Sequence, residues 1–220
     1  MKQGYFITGT DTDVGKTWAT TALMRHCRQQ GLSVIGMKPV AAGCNDEGGE
    51  LKNDDALQLQ AEASLAVDYQ LLNPYAYALP VSPHIAGRDN PVQLPKVLAI
   101  FQQLQPQAEI ILVEGAGGWY APINNQQNIS DLAIALNLPV ILVVGIKLGC
   151  INHSLLSYQA INQSGLTCAG WIANCIQPEM LCMQDNIDTL KTLIPAPLLG
   201  ILPYQQQADF DLLAAQLRLP

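Results

Sequence analysis

The sequence predicts an α/β fold: a doubly wound, mostly parallel sheet flanked by helices. Three observations carry this. Short apolar runs rich in β-branched residues recur at 3–8, 33–37, 110–113, 140–144, 169–173 and 198–202, and read as strands covered on both faces. Segments of helical periodicity separate them, which implies right-handed crossovers between parallel strands. The chemically unusual residues follow directly after these runs, where such sheets bind their ligands.

The elements follow in order. Residues 3–8 form a buried strand that opens into a loop of Gly, Thr and Asp. A helix runs from about Gly15 to Gln30 and stops at Gly31, a C-terminal glycine. After the strand at 33–37, residues 41–53 are rich in Gly, Asp and Glu and read as an active-site loop. Residues 54–63 form a short helix. Residues 70–95 carry Pro74, Pro80, Pro83, Pro91 and Pro95, too many for regular structure. They read as an ordered excursion or lid anchored by Tyr75, Tyr77 and Ile85. Further helices fall at 96–105, 129–136, 152–163 and 178–193. No internal repeat or low-complexity tail interrupts residues 1–220, so one domain is expected.

Composition bounds the partners. The chain has 220 residues, 11 Lys+Arg and 18 Asp+Glu, for a net charge of −7, with 49% hydrophobic and 13% charged residues. Disorder is excluded by that balance, and long nucleic acid is not an expected partner without basic runs. The apolar run around 138–146 is too short to span a bilayer, and the polar residues 8–11 interrupt any apolar run after Lys2, so neither a membrane span nor a signal peptide is expected. Six cysteines without a CxxC pair, and three histidines without zinc spacing, read as reduced thiols in a cytoplasmic protein.

Four motifs carry chemistry. Gly9-Thr10-Asp11-Thr12-Asp13-Val14-Gly15-Lys16-Thr17 sits between a strand and a helix and ends in Gly-Lys-Thr. Its backbone N–H groups and helix N-terminus suit a phosphate chain, with Lys16 on the β/γ-phosphates and Thr17 on Mg²⁺. Its spacing is one residue longer than the common form of this P-loop. Asp11 and Asp13 suggest that the loop also meets a cation or an amine. Lys38 follows the second strand and points to the phosphate site, where it can neutralise a transferring phosphoryl group. Glu114 ends the run at 110–113 and, with Thr17 and Asp55, makes a magnesium set. Asp54 is read as the cap of the following helix. Gly115, Ala116 and Gly117 let backbone approach a ligand. The stretch 145–153 presents small residues before a helix, so backbone N–H groups there suit a carboxylate. His153 and Cys150 are read as structural rather than catalytic.

Residues 9–17, 38–40, 53–57, 114–119, 139–153 and 170–174, with 195–203, together resemble the dethiobiotin synthetase family over essentially the whole chain. The resemblance implies a P-loop NTPase-like fold and Mg²⁺- and ATP-dependent carboxylation of diaminopelargonate by CO2 (bicarbonate). Ring closure then proceeds through a carbamate and a carbamic-phosphoric anhydride. It implies that Thr12, Asp13, Val14, Gly15, Lys16, Thr17, Asp55, Glu114, Gly115, Ala116 and Gly117 bind ATP. Asn174, Pro203, Tyr204 and Gln205 lie by the adenine, and Lys16 and Lys38 are catalytic. Thr12, Ala42, Gly117 and the turn Gly149, Cys150, Ile151, Asn152 meet the substrate, whose distal carboxylate takes the N–H groups of that turn. It also implies a homodimer with the site near the interface. Two departures stand out: Ala42 replaces a frequent serine, and Asn186 lies where relatives place a tyrosine. A partition-type ATPase shares this fold, but such proteins usually carry a lysine early in the loop, where this chain has Thr10 and Asp11. An inactive nucleotide-binding relative is opposed by the intact Lys16, Thr17, Lys38 and Glu114.

Overall fold

The computed structural model describes residues 3–220; Met1 and Lys2, the latter weighed above for a leader segment, lie outside the described residues. Six strands form one parallel sheet in the order β10-β9-β8-β1-β7-β2. These are β1 (Gln3–Gly9), β2 (Val34–Met37), β7 (Ile110–Gly118), β8 (Val140–Ile146), β9 (Cys168–Cys175) and β10 (Leu198–Leu202). The chain leaves β1 on one side, returns to place β7 beside it, and then builds β8, β9 and β10 outward on the other side. The crevice at this reversal is where a doubly wound sheet binds ligand.

Alternate residues of each central strand feed two separate cores, as a period of two requires. Phe6, Ile111, Val113, Leu142 and Val144 face one helical layer, made by α5 (Leu94–Leu104), α6 (Ile129–Leu136), α7 (Cys150–Gln163) and α8 (Met183–Leu193). Tyr5, Ile7, Leu112, Ile141, Val143 and Ile172 face the other, made by α1 (Lys16–Gln29), α2 (Asp54–Glu62) and α9 (Phe210–Ala215). An ion network ties that second layer together at its edge. Buried Glu62 on α2 accepts from Arg25 at 2.7 Å and from Arg28 at 2.8 Å, both on α1, and Arg25 also reaches Asp211 on α9.

Between β2 and α5 the structure departs from the expected irregular chain. Within the expected active-site loop at 41–53, residues 45–52 are a hairpin of β4 (Asn45–Glu47) and β5 (Glu50–Lys52), and only its flanks, Ala41, Ala42 and Asn53, line the cleft. Its two-residue turn is Gly48-Gly49, both at positive φ, as such hairpins require. The proline-rich stretch also contains short regular elements: α3 (Tyr69–Leu72), β6 (Tyr75–Tyr77) and α4 (Pro83–Ala86), with β6 paired to β3 (Val40–Ala42). The prolines fit because they fall between or at the first turns of these pieces. Tyr75 and Tyr77 are buried as expected, but Ile85 is exposed and anchors nothing. Strands β7, β8 and β9 run past their apolar cores, so Glu114, Gly145 and Asn174 lie inside strands rather than just after them. Helix α8 begins at Met183 instead of 178, and α9 was not expected at all.

Candidate active site

The phosphate loop is shaped by its own chemistry. Asp13 and Gly15 both adopt positive φ, and Gly15 does so against a close neighbour, since a Cβ there would lie 2.0 Å from Asn174 Nδ2. Asn174 donates to Val14 O at 2.8 Å and is buried beneath the loop. A side chain at position 15 would therefore meet both a steric block and left-handed strain. Helix α1 starts at Lys16 with no side-chain cap, which leaves its first N–H groups facing the loop.

Two lysines and two carboxylates meet below the loop. Lys16 and Lys38 are 7% and 6% exposed, a rare fate for lysine. Lys16 Nζ donates to Asp11 O at 2.9 Å. Lys38 Nζ donates to Glu114 Oε1 at 2.7 Å and to Asp55 Oδ2. Thr17 Oγ1 also donates to Glu114 Oε1, at 2.8 Å. The backbone of Lys38 is clamped from both sides, by Leu72 O at 2.9 Å and by the Asn73 amide at 2.6 Å. Burial opposes the Lys38 charge, but Glu114 and Asp55 outweigh it and hold the ammonium above the ordinary lysine range. Asp55 is held below the ordinary carboxylate range: burial works against its charge, and Lys38 overcomes that. For Lys16 the compensation falls short. Burial, with Lys38 adding repulsion against the pull of Glu114, lowers it to about 8.

A magnesium site fits this donor set. Glu114 is fully buried and its Oε2 has no hydrogen-bond partner. An unpaired buried carboxylate oxygen beside a threonine hydroxyl is a costly arrangement unless a cation completes it. Two carboxylates and a hydroxyl also match an ion that keeps waters and phosphate oxygens among its ligands.

These groups line one cleft of about 730 Å³, together with Thr12, Asp13, Gly15, Ala42, Ala116 and Gly117. Its wall also includes Ala41 and Asn53, from the segment 41–53 expected at the active site, and residues 80–83, from the expected excursion or lid; the sequence reading missed Trp18 and Ala121. Trp18 is held edge-on by Phe210 of α9, with ring centroids 6.4 Å apart. The helix cap is also corrected. Asn53 accepts from Ala56 N and caps α2, while Asp54 lies exposed in the first turn. The amide one residue earlier has the extended backbone that an N-cap needs.

Other expected residues lie outside this cleft. Asp11 is not a free partner for an amine: it accepts from Thr12 N at 2.8 Å and pairs with Lys147 at 3.4 Å. Lys147 is thereby drawn to the loop's outer side. Gly149, Cys150, Ile151 and Asn152 do not line the chain's own cleft, because β8 lies on the far side of β1 from Glu114. The Cys150 side chain is buried, in agreement with a packing role. Leu202 pairs with Asn174 in the sheet, so Pro203, Tyr204 and Gln205 follow the end of the strand beside the one that carries Asn174, and none of the three lines the cleft. Asn186 of α8 donates to the carbonyl of Cys182, the residue that precedes the helix, at 2.9 Å.

Comparison with known proteins decides the family. An AAA domain family model matches residues 3–210. The ATP-dependent dethiobiotin synthetase BioD of Aromatoleum aromaticum is 47% identical over 220 residues, covering 99% of this chain and 98% of that protein. The corresponding proteins of Cellvibrio japonicus and Xanthomonas campestris are 45% and 47% identical, covering 96% and 97% of their own lengths and at least 98% of this chain. The chain belongs to the dethiobiotin synthetase family. Solved structures of the septum site-determining protein MinD from Pyrococcus horikoshii and a ParA family ATPase from Chlorobium tepidum share the fold. Their TM-scores are 0.57 and 0.58, at 17% and 13% identity, covering 93% and 94% of this chain and 82% and 86% of theirs. Likeness at that level is one of fold alone, so the partition-type reading gains nothing from it. For a dethiobiotin synthetase family member, the pairing of a phosphate loop with a second buried lysine is the feature that needs a chemical account.

The lowered Lys16 carries a pH prediction. The free chain loses this charge as pH rises past about 8, whereas a bound polyphosphate favours the charged form. Affinity for metal-free ADP should therefore weaken above about pH 8, by up to about tenfold per pH unit. Binding should take up a proton there. Calorimetry at pH 8.5 in two buffers of different ionisation enthalpy reads that uptake directly, and equal heats in both would remove Lys16 as its source.

Proposed function

We propose that this chain is an ATP-dependent dethiobiotin synthetase that closes the ureido ring of dethiobiotin from diaminopelargonate and CO2. The observation that carries the reading is the pair of buried lysines facing one cleft, one on the phosphate loop and one at the end of β2. A simple nucleotide hydrolase needs the first. A second anion, formed on a substrate that reacts with the γ-phosphate, explains the other.

The chemistry needs three bonds. One amine attacks CO2, forms the N–C bond and releases a proton. A carbamate oxygen then attacks the γ-phosphorus, and ADP leaves. The second amine attacks the carbonyl carbon of the anhydride, phosphate leaves and the ring closes with loss of a proton. Backbone N–H groups of Asp13, Val14, Gly15, Lys16 and Thr17 hold the phosphate chain, with Thr12 beside them, its own N–H engaged by Asp11, and Gly115, Ala116 and Gly117 against it. Lys16 and Lys38 stabilise negative charge on the carbamate and on the transferring phosphoryl group. Thr17, Asp55 and Glu114 would hold Mg²⁺, which supplies charge neutralisation on the phosphates. Asn174, Pro203, Tyr204 and Gln205 flank the adenine side.

The same reading makes the chain a single-domain, cytoplasmic homodimer. Two features support the dimer. Leu148 and Leu181 are 93% and 90% exposed near the start of α7 and α8. The turn at 149–152 lies away from its own cleft, where N–H groups at the start of α7 can serve a substrate carboxylate across an interface.

Incubation of purified protein with diaminopelargonate, bicarbonate and Mg·ATP should release phosphate in step with ring product. Phosphate release indifferent to the diamine would overturn the proposal.

A further inference from the structure

Ser82 occupies an unusual position for its residue type. It is the N-cap of α4, where a serine hydroxyl ordinarily accepts a backbone N–H, yet its side chain makes no capping bond. The hydroxyl lies instead 2.8 Å from His84 Nδ1. The main chain around it is pinned independently. Ser82 O accepts from Ile85 N and Ala86 N, and His84 N reaches Pro122 O at 3.3 Å. The preceding strap is tied down by Gly43 N on Leu79 O at 3.1 Å. The hydroxyl contributes nothing to this framework that the backbone does not already supply.

Its surroundings give it a use. Ser82 lines the same cleft as Lys38, in a wall otherwise built from Ala41, Ala42, Pro80, Val81 and Ala121. None of those side chains has a polar atom. The acidic side chains of the cleft lie elsewhere: Asp55 and Glu114 accept from Lys38, with Glu114 Oε2 left for the proposed cation, and Asp13 belongs to the phosphate loop. A diamine brings N–H donors to this wall, and Ser82 is the side-chain acceptor it offers. A hydroxyl has one proton and two lone pairs, and its orientation is set by where the proton goes.

We infer that Ser82 is a substrate-contacting residue that accepts a hydrogen bond from an amine of the diamine, with its proton donated to His84 Nδ1. His84 is then a positioning residue: it fixes the hydroxyl rotor so that the lone pairs face the cleft. This rests on the synthetase reading for the identity of the diamine, but it assigns a contact that the phosphate and metal residues do not make.

The test separates diamine from nucleotide. Calorimetric binding of diaminopelargonate to the Mg·ADP-loaded protein, and KM values for both substrates, are measured for the parent chain, Ser82→Ala, Ser82→Thr and His84→Ala. Ser82→Ala should weaken diamine binding and raise its KM by about tenfold or more, as loss of a hydrogen bond to a charged group does, with ATP KM within about twofold. Ser82→Thr should restore most of the loss. His84→Ala should show the same split by a smaller factor. Unchanged diamine affinity in Ser82→Ala would overturn the inference, as would parallel losses of diamine and nucleotide affinity, which mark a structural role. A parent chain that binds no diamine would sink the synthetase reading as well; a parent chain that binds it beside an unaffected Ser82→Ala would sink this inference alone.

Discussion

Lys38→Ala should lower turnover by on the order of 100- to 1,000-fold, the range for removing one preorganised donor from a developing anion. Nucleotide affinity should change much less, because the loop and Lys16 hold the phosphates. The same substitution should also destabilise the protein in the absence of ligands. Glu114 is fully buried, and Lys38 is the cation that answers it. Removing one partner of a buried pair leaves an uncompensated charge, at a cost of about 3–5 kcal/mol. Thermal unfolding with and without Mg·ADP separates the two effects: the deficit should shrink when metal and nucleotide are bound. Divalent cation affinity without nucleotide should rise in the variant, since the ammonium shares its carboxylates with the proposed metal. A variant with normal turnover would remove Lys38 from the mechanism. Unaltered stability would mean that Glu114 finds another partner.

Glu114→Gln should separate these roles from the other side. The amide keeps an oxygen for the Thr17 hydroxyl, and Lys38 keeps Asp55. No buried charge is orphaned, so unfolding should shift far less than in Lys38→Ala. Metal affinity should nevertheless fall by roughly 100-fold or more, given that even outer-shell changes around metal ligands cost about 10- to 100-fold. Turnover should fall with it. Metal-free ADP should bind at least as tightly as to the parent chain, since a carboxylate facing the phosphates has gone. Retained magnesium-dependent turnover would exclude Glu114 as a ligand.

How much of this was legible depends on where the information sits. The strand order of chemistry was readable because Lys16, Lys38 and Glu114 each follow a continuous apolar run, and only a sheet brings such positions together. The hairpin at 45–52 had a usable signal in Gly48-Gly49, but its exposed polar strands lack the alternation that marks a half-buried one. The cap of α2 slipped by one residue because Asn53, Asp54 and Asp55 are all competent cap types, and only backbone geometry separates them. The wall at 80–83 was the least accessible. Its shape depends on β3 pairing with β6, a contact between two three-residue strands that no local propensity announces. Trp18 and Phe210 meet across nearly the whole chain. Side chains that specify the cleft's apolar end are therefore held by non-local pairings, whereas the phosphate and charge machinery is written in strand-end motifs.

The bonds that build the site span long stretches of chain. Thr17 and Glu114 are 97 residues apart, Lys38 and Glu114 are 76 apart, and Asn174 reaches Val14 across 160. Each demands a loop closure whose entropic cost is met only once the intervening strands have docked. The assembly of Lys38, Glu114 and Thr17 into one site therefore requires the strands that carry them to be docked. During folding, nucleotide binding should be among the last properties to appear, and a refolding chain monitored by nucleotide capture should report the complete sheet rather than any precursor of it.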